Sequence, residues 1–313
     1  MLRGMKIAII GAGGVGGYFG GKLANAGIDT TFIARGATLA ALREHGLRVE
    51  SVNGDFTLPH VNVTDDPSTI GHVDAVLVAT KAWQMPEALA NIAPLLGDDT
   101  IVVPMENGID APEVLLEHID AKHVVGGLCA IVSFVVAPGH IKHAASEPVV
   151  MFGELDHSAS ARTEALRDAF VRAGVKAEIP PDIHRSMWTK FLFIAPLSGI
   201  GALTRVPVGA WRAMPEVRAI VDAMLRELVA VASARNIDLG EDTILKTWQR
   251  YDALAPESTS SLQRDVVDGK PSELDAQLGA VVRLAEASGV AVPVTRMVFS
   301  ALLPQERAAR GTT

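Results

Sequence analysis

After Lys6, the segment Lys6–Ile10 is apolar at every position, and a cluster of glycines and a helical stretch to Ala26 follow it. Asp29–Ala34, rich in Thr, Phe and Ile, is a second predicted strand. Val73–Thr80 and Thr100–Met105 are further continuous apolar runs. Strands buried on both faces of a parallel sheet read this way, whereas half-exposed strands alternate. Helices are predicted between them over Gln84–Leu96 and Ala111–Ile119.

From His123 to Gly153 the pattern changes to strands without helices. Three strand-like segments are divided at Pro138–Gly139 and Ser146–Pro148, which predicts a mainly antiparallel extension of the sheet. A helix over Ala159–Ala173 and a short strand over Lys176–Ile179 complete this part. Beyond Pro180–Pro181 nearly everything reads as helix: Asp182–Ser198, Pro215–Arg235, Glu241–Tyr251, Ser261–Asp268, Ser272–Ser288 and Pro293–Leu303. Ser, Thr or Asp near several starts, and Gly240, Gly269 and Gly289 near ends, fit capping. The pattern therefore predicts an α/β doubly wound domain over 1–180 and an all-α domain over 181–313.

Composition narrows the function classes. Of 313 residues, 49% are hydrophobic and 20% charged, which is ordinary for a globular protein and excludes a disordered chain. The single Cys129 excludes an internal disulfide framework and a cysteine-based zinc site. The net charge of −8 resides wholly in residues 1–180, and neither half has a basic stripe, so nucleic acid is not an expected partner. No export signal is visible. Val124–Ile141 and Phe191–Thr204 lack Asp, Glu, Lys and Arg, but the first is broken by Gly and Pro and the second is short of the ~20 residues of a spanning helix. Both read as core, which predicts a cytoplasmic protein with no membrane partner.

The chemistry begins at the glycines. Gly11, Ala12, Gly13, Gly14, Val15 and Gly16 form a GxGxxG motif placed directly after a strand and opening a helix. The first Gly permits a tight turn, the second lets a pyrophosphate approach the backbone, and the third lets helix and strand pack closely. A helix N-terminus then offers N–H groups to phosphate. This context predicts a dinucleotide site; the alternative is a glycine turn that merely packs. At the end of the second strand, where NAD-binding chains carry an acid, stands Arg35. A guanidinium suits a 2′-phosphate, so NADP(H) is favoured over NAD(H).

The chain resembles the ketopantoate reductase (2-dehydropantoate 2-reductase) family. The resemblance rests on GAGGVGG at 11–17, ARG at 34–36, TKAWQ at 80–84, ENG at 106–108, MWTK at 187–190, TSSLQRD at 259–265, SELD at 272–275 and GVAVPVTR at 289–296. It implies a Rossmann-type domain followed by a helical domain, with the site in the cleft between them. It also implies reduction of the ketone of ketopantoate to pantoate with NADPH, on the route to pantothenate and coenzyme A. By resemblance Lys190 is the general acid, Lys81 and Asn107 touch the cofactor ribose and the substrate region, Ser261 bonds the substrate carboxylate, and Glu273 holds the nicotinamide ribose or the substrate hydroxyl.

The residues alone keep other readings open. Lys190 lies inside the apolar stretch SMWTKFLFIAPL, where a lysine can also snorkel. Ser261 could cap a helix, and Glu273 could favour a helix dipole. Where the family has asparagines, this chain has Ile194, Ser198 and Val208, and spacings of four put Lys190, Ile194 and Ser198 on one helix face. That partly apolar face, with Ser198 as its polar member, points to ketopantoate or a more apolar 2-keto acid. The alternatives are a related reductase of another keto acid, a 3-hydroxyacid dehydrogenase of similar architecture, or a non-catalytic NADP(H)-binding regulator. No metal is expected: His140 and His143, three apart on a strand, face opposite ways. Cys129 reads as a core thiol. A homodimer is the assembly considered.

Overall fold

The computed structural model describes residues 4–90 and 92–312. By internal contacts the chain separates into two compact units. One holds the chain through Glu106 together with Ala111–Ile183; the other holds Asn107–Asp110 and everything from His184 onward.

The first unit runs β1 (Lys6–Ile10), α1 (Gly14–Asn25), β2 (Asp29–Ile33), α2 (Gly36–His45), β3 (Leu47–Ser51), β4 (Phe56–Leu58), β5 (Asn62–Thr64), β6 (Val73–Val78), α3 (Met85–Leu89), β7 (Leu96–Pro104), α4 (Ala111–Leu116), β8 (Val125–Ala137), β9 (His140–Glu154), α5 (Ala161–Arg172) and β10 (Lys176–Glu178). Strands β5-β2-β1-β6-β7 form an all-parallel sheet. Its two faces explain the unbroken apolar runs. Ile7 and Ile9 join Phe19, Phe32, Leu77 and Phe170 on one side, while Ala8 and Ile10 join Val76, Val78, Val102 and Leu115 on the other. β1 lies between β2 and β6, so the strand order reverses there, and the carboxyl end of β1 is where such sheets bind ligands.

Three expectations are corrected here. The predicted antiparallel extension is a separate sheet, β10-β9-β3-β4 with β8 also on β9. It is mixed, because β9 runs antiparallel to β8 but parallel to β3 and β10. The break expected at Ser146–Pro148 is a bulge inside one 15-residue strand. Pairing steps from Ala130–Val149 to Val132–Ala145, leaving proline out of the ladder where its missing N–H costs little. The helix expected over Gln84–Leu96 is broken into a 3-10 turn at Ala82–Gln84, α3, and another 3-10 turn at Ala93–Leu95 that contains Pro94, a residue that cannot continue a helix.

Helix α1 touches both sheets through its glycines. A Cβ on Gly20 would meet Phe32 Cε1 at 2.6 Å, and one on Gly21 would meet Leu47 Cδ2 at 2.8 Å.

The second unit is helical: α6 (Ile183–Thr204), α7 (Val208–Arg212), α8 (Pro215–Ala234), α9 (Thr243–Ala253), α10 (Ser261–Val267), a π-helical turn at Asp275–Gly279, α11 (Ala280–Ser288) and α12 (Pro293–Arg310). α6 has 22 residues, longer than the uncharged stretch predicted, and is long and apolar enough to cross a membrane by composition. Two-thirds of that window is buried inside the protein, and the helix carries Lys190 and Pro196. Pro196 cannot donate to the carbonyl of Leu192. The Tyr251 hydroxyl covers the gap, donating to Phe193 O at 2.7 Å with Leu192 O at 3.4 Å. Burial pushes the Tyr251 phenol far up, so it stays a neutral donor.

Candidate active site

The first unit supplies a glycine loop at the start of α1. Gly11 ends β1 with φ +92°, a conformation side chains rarely adopt, and its Cβ would lie 2.9 Å from Ala79 O. A Cβ on Gly16 would lie 1.9 Å from Gly11 O. Gly13, in contrast, has nothing within 4 Å of where its Cβ would stand. The first and third glycines are thus required by packing, and the second opens onto free space. Gly13 precedes α1 without a side-chain cap. The first N–H groups of the helix are left for an anion. Gly14 is backed by β8, whose Ser133 O would lie 2.8 Å from a Cβ there. Ala12 is buried and Val15 half-buried, so these two shape the loop through backbone and packing. This donor set fits a dinucleotide pyrophosphate.

Arg35 follows β2 and occupies the residue before the first turn of α2. Its Nη1 donates to Glu87 Oε1, and both side chains are exposed. Arg35 and Glu87 are 52 positions apart, so no local pattern signals the pair. A guanidinium has five donors, so the pair leaves others for a phosphate. Lys81 lies beyond the end of β6, its Nζ 5.7 Å above the Trp83 ring and its backbone N–H donating to Gln84 Oε1 at 3.3 Å. Glu106, at the end of the unit's chain run, is buried and accepts from Met105 N at 3.0 Å.

The second unit brings Lys190 and Asn107 together. Lys190, half-buried on α6, donates from Nζ to Asn107 Oδ1 at 2.8 Å. A lysine held this way has a defined ammonium position, unlike one that merely reaches solvent. Ile194 is half-buried one turn on, and Ser198 is fully buried with no hydrogen-bond partner for its Oγ among the described residues. Val208 is buried in the first turn of α7. Ser260, not Ser261, caps α10 by accepting from Gln263 N at 3.0 Å, so the capping alternative for Ser261 falls away. Glu273 is buried, just before the π-helical turn.

One network went unnoticed in the sequence. Arg283 on α11 donates to Asp110 Oδ2 at 2.9 Å and to Asp275 Oδ1 at 2.8 Å. Burial alone would lower its pKa, but the two carboxylates outweigh that and raise it. The network ties the Asn107–Asp110 segment to the helical unit. Asp110 and Arg283 are 173 positions apart, so no local pattern signals it.

The residues set aside stay apart from this chemistry. His143 is held by Ser51 Oγ at 2.9 Å and Ala145 O at 3.1 Å, and His140 lies 3.1 Å from Glu50. Cys129 is in the core with its Sγ 3.4 Å from Met105 O.

Comparison with known proteins bears on this arrangement. Residues 7–157 match the family described as ketopantoate reductase PanE/ApbA, and residues 182–306 match its C-terminal counterpart. A 2-dehydropantoate 2-reductase of Mesorhizobium japonicum is 32% identical over 95% of this chain and 96% of its own. An uncharacterized oxidoreductase of Bacillus subtilis, YkpB, is 30% identical over 95% and 98%. The crystal structure of 2-dehydropantoate 2-reductase from Geobacter metallireducens superposes with a TM-score of 0.89 at 30% identity, covering 96% of this chain and 99% of that one.

Proposed function

The chain belongs to the ketopantoate reductase family, an oxidoreductase family that uses NADPH, and we propose that it reduces the ketone of a 2-keto acid to a 2-hydroxy acid. Ketopantoate, giving pantoate for pantothenate and coenzyme A, is the first substrate to test. In this reading residues 1–180 bind NADP(H), residues 181–313 carry the catalytic groups, and the setting is the cytoplasm.

The observation that carries the proposal is the 2.8 Å hydrogen bond from Lys190 Nζ to Asn107 Oδ1. The cofactor supplies a hydride when bound; the protein must then supply a proton and stabilise a developing alkoxide. The Lys190 ammonium, aimed by Asn107, suits both tasks. The N–H groups opening α1 and the space at Gly13 suit the pyrophosphate. Arg35 suits the 2′-phosphate, with Lys81 beside the ribose. Ser261 and Ser198 are the proposed polar contacts to substrate, and Glu273 the contact to ribose or substrate hydroxyl.

Ile194 supports a second substrate reading. It puts an apolar side chain one turn from Lys190, on the face where a hydroxylated acid would be bonded. A keto acid with an apolar side chain would find a better match there.

The test is NADPH oxidation by purified protein against a panel of 2-keto acids. The expected result is turnover with at least one member and a preference for NADPH over NADH. No turnover with any member overturns the proposal.

A further inference from the structure

Ser272 is fully buried, and all of its polar groups are engaged. Its N–H donates to both carboxylate oxygens of Glu306, at 3.0 and 3.1 Å. Its hydroxyl donates to Glu306 Oε2 and accepts from Leu274 N at 3.2 Å. Its carbonyl accepts from Arg310 Nη2 at 2.9 Å, and Arg310 Nε donates to Glu306 Oε1 at 2.6 Å. Glu306 itself is only 4% exposed.

Burying a carboxylate is costly unless it is fully paired, so a closed set of donors this dense fixes the backbone it grips. Here it grips Ser272 from both sides. The carbonyl held by Arg310 belongs to the same peptide group as the N–H of Glu273. Downstream of Glu273 the chain enters the π-helical turn Asp275–Gly279, a wider and rarer geometry than the α-helix. Glu273 therefore sits between an ionic clamp and an irregular turn.

We propose that Glu306 and Arg310, one turn apart near the end of α12, are positioning residues that set the carboxylate of Glu273 for the reaction. The proposal rests on the reading of Glu273 as a site residue. It makes the last helix part of the working apparatus without touching substrate or cofactor.

A double-mutant cycle tests it, with kcat and KM measured for the preferred keto acid below the lowest melting temperature of the set. Glu306→Gln is expected to lower kcat/KM about ten- to a hundredfold, as misplacement of a reacting group by about 1 Å does. Glu306→Asp is expected to recover part of the loss. In a Glu273→Gln background, read from its residual turnover at high enzyme concentration, Glu306→Gln is expected to cost nothing more. Equal losses in both backgrounds overturn the proposal, as does wild-type kcat/KM in Glu306→Gln. Full activity in Glu273→Gln alone overturns the reading of Glu273, and with it this inference, independently of Glu306. If Glu306→Gln does not fold, Ser272→Ala and Arg310→Lys run the same cycle.

Discussion

Lys190 and Asn107 are 83 positions apart in the chain and joined by one hydrogen bond of 2.8 Å. The bond fixes an ammonium that sequence alone would allow to wander. Lys190→Ala is expected to lower kcat by about 10²–10⁴-fold, the usual range for a lost general acid. NADPH affinity, read by fluorescence titration, is expected to stay within about twofold, since the glycine loop proposed to hold the pyrophosphate belongs to the other unit. Unchanged turnover would remove Lys190 from the mechanism.

Arg35 and Glu87 give a prediction with two signs. Arg35→Ala is expected to raise the KM for NADPH about tenfold or more while leaving NADH nearly unchanged, because the contact proposed for this side chain is to the 2′-phosphate alone. Glu87→Gln removes a competitor for the guanidinium. An exposed pair is worth at most about 1 kcal/mol, so the KM for NADPH is expected to fall only about two- to threefold. Equal effects of Arg35→Ala on both cofactors would defeat the assignment.

Ile194 is the position to change for specificity. Ile194→Asn offers an amide beside the ammonium, where the wild type offers an alkyl group. The ratio of kcat/KM for ketopantoate over an unhydroxylated 2-keto acid of similar size is expected to rise by about tenfold or more. A ratio that does not move would take this residue out of the substrate pocket.

Two glycines of one motif are expected to behave oppositely. Gly16→Ala forces a Cβ onto Gly11 O and is expected to lower the melting temperature sharply. Gly13→Ala meets no protein atom, so the fold is expected to survive while NADPH binding weakens. Scanning calorimetry and a binding titration on both variants separate the two effects.

The pH dependence of stability has an identifiable contributor. Burial would raise the pKa of Glu154, but the paired Arg162 and the Ser160 hydroxyl outweigh it and hold the carboxyl below its ordinary value. A carboxyl lowered in the folded state stabilises fully above its unfolded pKa, about 4.3, and loses that contribution as pH falls through the folded value. Glu154→Ala is expected to cost about 1–3 kcal/mol at pH 7, as removing the charged acceptor of a part-buried hydrogen-bonded pair does. The gap between variant and wild type is expected to close progressively below about pH 4. A gap that persists unchanged at pH 2 would rule the ion pair out as its source.

Much of the first unit was readable because its signals are local. Ile7–Ile10 is buried on both faces, and a strand in that setting has no polar position to confuse the pattern. Gly11 and Gly16 are forced by atoms within a few residues or on the next strand. The short strands β3 to β5 give no such signal because they lack the continuous apolar run that marks β1, β6 and β7. In β9 Pro148 looks like a boundary, and only the partner strand reveals that a bulge absorbs it. In the helical unit Lys190 could be singled out as a charge in an apolar run. Its acceptor could not, nor could the grip of Arg283 on Asp110, since both depend on chain segments far apart in sequence. The π-helical turn has no sequence signature of its own, and Ser272–Ser288 reads as ordinary helix.

Asn107–Asp110 leaves the sheet-bearing unit for four residues and then returns to it. The polypeptide therefore passes from one unit to the other three times rather than once. A fragment beginning at His184 would retain the long helices of its own unit yet lack Asn107, an acceptor of Lys190, and Asp110, one of the two carboxylates that Arg283 holds. Dissecting this protein at its proline pair would produce a piece in which the Lys190 ammonium has lost its contact to Asn107, and recombination with the amino-terminal piece would have to restore that contact.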